Sequence, residues 1–287
     1  MEKPGLTRFS IGNRWNLVWS VVLMRLRIMS RYPGGNLVDI AIPTFIAAMP
    51  ILLGQAIGGG AAQAAANFQQ NTGTANYVAY LLIGSNIFMI VSGTLWNVGY
   101  WMRREQETGT LEALYLAPTG RGSILLGISL YGMIRALINF VIAFTLGALV
   151  FRVNPLQGNI LLALAFLLVG MVPLFGIALL YGAVILRVKE ANALIQLAQW
   201  VVSFLMGLFF PVAVFPIWLR VVAMLFPPTW MNNGVRASLL GVGYFFQHWY
   251  FDLAALGVFC IVTPWLGYWL FTRTERGIQR NAGVGEF

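Results

Sequence analysis

Apolar stretches of bilayer length constrain this chain more than any other feature. Residues 36–57, 77–102, 123–151, 160–186, 193–210 and 253–271 each run predominantly apolar. Crossing the hydrocarbon core of a membrane takes ~20 such residues as helix, and a helix satisfies its own backbone polar groups there. The expected fold class is therefore all-α and integral to the membrane, with six transmembrane helices in one domain spanning residues 1–287. Composition agrees. Charged residues make up 9% of the chain, against ~25% in soluble domains, and mean hydropathy is +0.76.

The interruptions between these stretches carry the remaining information. Residues 7–32 are apolar but broken by arginine. On a helical wheel Ile11, Trp15, Val18, Val22, Leu26 and Met29 share one side, while Asn13, Asn16, Ser20, Arg27 and Arg31 share the other. That pattern predicts an amphipathic helix lying in the membrane interface, with arginines toward anionic lipid. Residues 58–76 read as a polar loop without charge. Residues 103–122 form the longest charged interruption before the C-terminal tail. Leu111, Leu114 and Tyr115 are spaced to share one face of a short helix, and Glu105, Thr108 and Glu112 another. Pro118 and Gly120 then end it. Residues 211–252 hold Pro211, Pro216, Pro227 and Pro228, with two apolar pieces at 217–226 and 233–244. Each piece is too short to cross, so the region suits a re-entrant helical hairpin shielded by other helices.

Topology follows from the basic residues. Six precede residue 32, three lie in 103–122, two at Arg187 and Lys189, and three in the tail at Arg273, Arg276 and Arg280. Arg152, Arg220 and Arg236 fall on the opposite side, and Arg135 lies within a span. The positive-inside rule then places both termini in the cytoplasm of a multi-pass protein of the cell (inner, plasma) membrane and the hairpin outside. The net charge of +9 is thus a topology signal, and no nucleic-acid partner is expected.

Several chemistries lack their residues. A phosphate-binding loop needs glycine before lysine, but Lys3 and Lys189 follow Glu2 and Val188. With one histidine and one cysteine there is no metal-ligand cluster, so neither metal nor catalytic residues are expected in this chain. His248 reads as an interfacial residue at a helix end, and Cys260 as a small packed hydrophobe. Intramembrane charge merits a functional reading. Arg135 either snorkels along its aliphatic stem or serves a transport pathway, and Asp39 is expected to cap a helix or pair with an N-terminal arginine.

The run from Arg104 through Glu105, Glu107, Thr108, Gly109, Leu111, Glu112 and Leu114 to Ala117-Pro118 resembles the ABC-2-type (type-2) ABC exporter permeases, as does Ile124–Gly127 after it. A second block carries the same resemblance: Phe209-Phe210-Pro211, Phe215-Pro216-Ile217-Trp218-Leu219, Thr229-Trp230 and Val235-Arg236. It departs from the family at Phe226-Pro227-Pro228, where Asn-Pro-Leu is usual. The resemblance implies a dimer of permeases, here a homodimer, in contact with membrane lipid. Two separate ATP-binding cassette subunits would sit beneath it, and they would bind the ATP and Mg. It implies an interface helix at 7–32 and a coupling helix at 105–116 docked on the ATPase. Glu105, Glu107, Thr108, Gly109, Leu111, Glu112 and Leu114 would make that contact. It also implies an external re-entrant region at 211–252. Candidate pathway or gate residues are Arg135, Phe209, Phe210, Pro211, Trp218, Trp230 and Arg236. The expected cargo is lipophilic or amphipathic: a drug, lipid, glycan or metabolite.

Two other classes compete. An ion-coupled secondary transporter would need ion-coupling groups at mid-membrane, where Arg135 alone qualifies. A membrane enzyme would need clustered acids or histidines, and the nine acids are scattered.

Overall fold

A computed structural model describes residues 11–32, 34–109, 121–185, 188 and 191–281. Every regular element among them is helical: α1 (Ile11–Arg31), α2 (Gly34–Ile57), α3 (Ala61–Thr72), α4 (Tyr77–Thr94), α5 (Trp101–Glu107), α6 (Arg121–Val150), α7 (Ile160–Ile185), α8 (Ala191–Leu205), α9 (Ile217–Met224), α10 (Pro227–Leu240) and α11 (Trp249–Asn281). Five of these, α2, α4, α6, α7 and α11, contain stretches long and apolar enough to cross a membrane. Of the five, α4 is the most enclosed, while α2, α6 and α11 keep most of their apolar surface outward. That is the distribution expected when lipid, not water, is the solvent.

The segment expected as a span over 193–210 differs. Helix α8 stops at Leu205 after 15 residues, ~22 Å of rise and short of a full crossing. Gly207 explains the stop. Its φ of +67° ends helical geometry, and a Cβ there would lie 2.6 Å from the Phe210 carbonyl. The apolar run at 206–210 is real, but it is not helix.

The polar segment 58–76 is not a plain loop, because α3 occupies most of it. Five alanines between Ala61 and Ala66 favour helix without any apolar period to announce it. Gly73, at φ +79°, caps its C-terminus. Phe68 anchors it edge-on to Tyr80 of α4, with ring centroids 5.1 Å apart.

The 211–252 region does hold two short helices. The second starts six residues earlier than its apolar pattern suggests. Pro227 and Pro228 occupy the first turn of α10, where a missing N–H costs nothing, so these prolines start the helix instead of breaking it. Nearly all of α10 is buried against α7. Met231 packs on Gly170, and Phe166 lies where a Cβ of Gly234 would fall.

Proline inside α7 produces one further contact. Pro173 cannot donate to the carbonyl of Val169, four residues earlier. Cys260 Sγ donates to that carbonyl at 3.2 Å, and Thr263 Oγ1 donates to Pro173 O at 3.0 Å. Cys260 is therefore more than a packed hydrophobe: it satisfies a group the proline leaves open. Close by, Gly176 and Gly267 let the backbones of α7 and α11 touch.

Helix α1 lies against α6 through buried Val18 and Val22, leaving Trp15, Trp19, Met24 and Ile28 exposed. Asn16, Ser20, Arg27 and Arg31 are exposed too, as the wheel placed them, but Trp15 is not on the packed side.

Candidate substrate cavity

A cavity of about 490 Å³ opens between α2, α4, α5 and α6. Its volume falls within the range of small-molecule sites. One wall follows α4 and α5 from Asn86 to Arg104, which is ~27 Å of helix rise. Between those two helices the chain winds as a π-helix over Leu95–Gly99, a form enriched at functional positions. Asn97 Nδ2 donates to Gly93 O at 2.8 Å within it.

Charge sits toward one end. Arg135 of α6 forms an ion pair with Asp39 of α2, 96 residues away. Among the described residues the partner of Asp39 is therefore Arg135, and Arg135 does not simply snorkel to the surface. Each supplies the other's countercharge inside an apolar bundle, where an unpaired charge would be costly. Arg104 lines the same end and donates to Trp96 O at 3.3 Å. Burial pushes the Arg104 guanidinium below its ordinary range. Arg25 of α1 pushes the same way, Glu105 and Tyr100 oppose it, and Arg135 adds a smaller push down. Tyr100 Oη donates to the Glu107 carboxylate at 2.7 Å.

The other end is apolar, with Ile90, Phe140 and Ala143 in its lining. Asn86 and Asn139 are polar exceptions. Asn86 is 1% exposed, its Nδ2 donates to Leu82 O at 2.8 Å, and its Oδ1 has no partner among the described residues. Gln199 of α8 donates to Ser92 Oγ beside the cavity.

Of the residues singled out for coupling, Glu105 and Glu107 end α5. Thr108 and Gly109 then turn the chain. Thr108 N donates to Arg104 O at 3.0 Å and Gly109 takes φ +70°, so α5 ends ahead of Gly109. Leu111, Glu112 and Leu114 lie outside the described residues.

Among the pathway candidates, only Arg135 reaches the cavity. Phe210 stacks edge-on with Phe204 and Phe215, and Phe209 is partly exposed beside it. Pro211 precedes a short 3-10 turn. Trp218 is exposed, whereas Trp230 is buried, donates from Nε1 to Met224 O at 2.7 Å and packs on Phe245 and Phe246. Arg236 is 2% exposed and fully engaged. Nε donates to Tyr80 O at 3.1 Å, Nη1 to Gly207 O and Nη2 to Leu208 O, both at 2.7 Å, and the guanidinium carbon sits 3.6 Å over the Tyr80 ring. It clamps α10 to α4 and to the end of α8.

Sequence reasoning missed Asn86, Asn97, Arg104 and Asn139 as cavity residues. Asn86 and Asn139 were visible as lone amides within apolar runs, a signal comparable to the one that drew attention to Arg135.

A family profile described as ABC-2 family transporter protein matches residues 33–269. No curated protein matches the chain.

Proposed function

The chain belongs to the ABC-2 transporter family, a membrane transport component and not itself an enzyme, and from that premise we propose that it is the permease subunit of an ATP-driven exporter. The carrying observation is the family match over 33–269, combined with five long apolar helices, three of which border an amphipathic cavity. Members of this family normally work with an ATP-binding subunit. In our reading two copies of that subunit serve two identical permeases in the cell inner membrane, with both termini cytoplasmic, and bind ATP and Mg. Helix α8 and the residues after it complete a sixth crossing. Residues 105–116 contact the ATPase, with Glu105, Glu107 and Glu112 bonding through charge and Leu111 and Leu114 filling its groove. Thr108 and Gly109 set the angle at which the contact segment leaves α5.

The mechanism follows from connectivity. Movement at 105–116 pulls on α5, and α5 continues through the π-helix into α4, the wall of the cavity. A lipophilic or amphipathic cargo from the cytoplasm or inner leaflet then passes the 209–230 region. Purification in mild detergent with the ATP-binding protein encoded beside this gene is the test. A two-plus-two complex whose ATPase activity uncouples from transport in Glu112→Arg or Leu111→Asp supports the proposal. Normal ATP-driven transport in both variants sinks the coupling assignment.

One observation favours a second reading. The Asp39–Arg135 pair is the kind of intramembrane charge an ion-coupled secondary transporter uses. Transport driven by an ion gradient, without ATP or a partner, would select that reading.

A further inference from the structure

The cavity has unused bonding capacity at both ends. At the charged end the guanidinium groups of Arg104 on α5 and Arg135 on α6 both line the cavity. Asp39 engages Arg135, and Glu105 adjoins Arg104. Even so, the Nε of Arg135 is buried without a partner among the described residues. A buried donor without an acceptor is costly, and charge-assisted bonds to an oxyanion are the strongest available remedy. Toward the far end, ~12 Å of rise along α6 from Arg135 to Ala143, the lining is mostly apolar, with the amides of Asn86 and Asn139 as polar groups, and the Oδ1 of Asn86 has no partner among the described residues.

We propose that this cavity binds an amphiphile with an anionic, phosphate- or carboxylate-type headgroup. The headgroup sits on Arg104 and Arg135, the chain runs along Phe140 and Ala143, and a hydroxyl or amide of the ligand donates to Asn86 Oδ1. The proposal deepens the exporter reading by naming its cargo class and rests on that reading for the direction of transport. Such an amphiphile comes from either of two sources, the membrane's own anionic lipid or a dissolved single-chain compound.

The test uses the full chain in phosphatidylcholine nanodiscs, without nucleotide or partner, titrated with radiolabelled dodecyl phosphate. Competitors are dodecyltrimethylammonium, inorganic phosphate and phosphatidylglycerol built into the disc. We expect saturable binding that the cation does not displace. Arg104→Gln should weaken it about 10-fold or more, the range for losing a charge-assisted bond, and Arg104→Lys should restore part of it. Ala136→Trp, which fills the cavity, should remove it. Equal competition by the cation, or unchanged affinity in Arg104→Gln, overturns the proposal. Arg104 stands on a half-exposed helix end, so that variant stays decisive even if Ala136→Trp does not fold. Inorganic phosphate competing as well as dodecyl phosphate also overturns it, because the chain would then contribute nothing. Displacement by phosphatidylglycerol supports the headgroup chemistry and identifies membrane lipid as the source. Failure here leaves ATP-driven transport standing, and failure of ATP coupling leaves the binding result standing.

Discussion

Two arginines sit inside the apolar body, and their surroundings are opposite. Arg236 has all three of its nitrogens bonded to backbone carbonyls and its flat face on Tyr80. Among the described residues Arg135 has one carboxylate partner and a buried Nε with none, and it lines a cavity. Both are costly to place in a bundle, but only one has been fully compensated. A buried charge whose bonds are complete holds structure together, while one with a bond left open beside a cavity keeps capacity for a ligand. The region around α10 is accordingly packed solid, and the region between α2, α4 and α6 is not.

The sharpest way to break this contrast is to replace Arg236. Arg236→Met leaves carbonyls at residues 80, 207 and 208 without their donor, and we expect a loss of about 3–5 kcal/mol. Arg236→Lys should rescue little, since a point charge cannot reach three divergent acceptors and stack on a ring. Yield and thermal stability in detergent would read this out. Stability within about 1 kcal/mol of the parent for Arg236→Met would end the claim that the clamp is structural.

A smaller effect is expected at the pair. Arg135→Gln or Asp39→Asn alone strands a partly buried charge and should cost about 1–3 kcal/mol while impairing transport. The double variant should recover stability, because no charge is left stranded, but not transport. Recovery of both would make the pair as structural as Arg236. The smallest change tests the proline-compensating thiol. Cys260→Ala should cost about 0.5–1 kcal/mol by leaving the Val169 carbonyl open, and Cys260→Ser should cost less than Cys260→Ala in the same melting assay.

The sequence pattern made the long spans legible because ~20 apolar residues admit few alternatives. The two short helices of the 211–252 region were legible from length for the same reason. Other features turned on tertiary facts. Helix α3 depended on alanine propensity with no period, and α8 ended at a glycine whose positive φ no hydropathy window registers. Arg135 was visible as a charge in a span, but its partner was not, because the 96 residues between it and Asp39 carry no mark of their meeting. Asn86 and Asn139 left a faint signal, overshadowed by the larger anomaly of an arginine. Arg236 was picked out by the motif it follows, and its role as a clamp came only from the positions of three carbonyls.

The clamp also sets a clock on biogenesis. Tyr80 and Arg236 are 156 residues apart, so at ~5–20 residues per second the ribosome adds Arg236 about 8 to 30 s after Tyr80. Throughout that interval α4 is present without the guanidinium that ties it to α10 and to the residues after α8. The seam between the two halves of this protein is therefore closed late, from the side of the younger half.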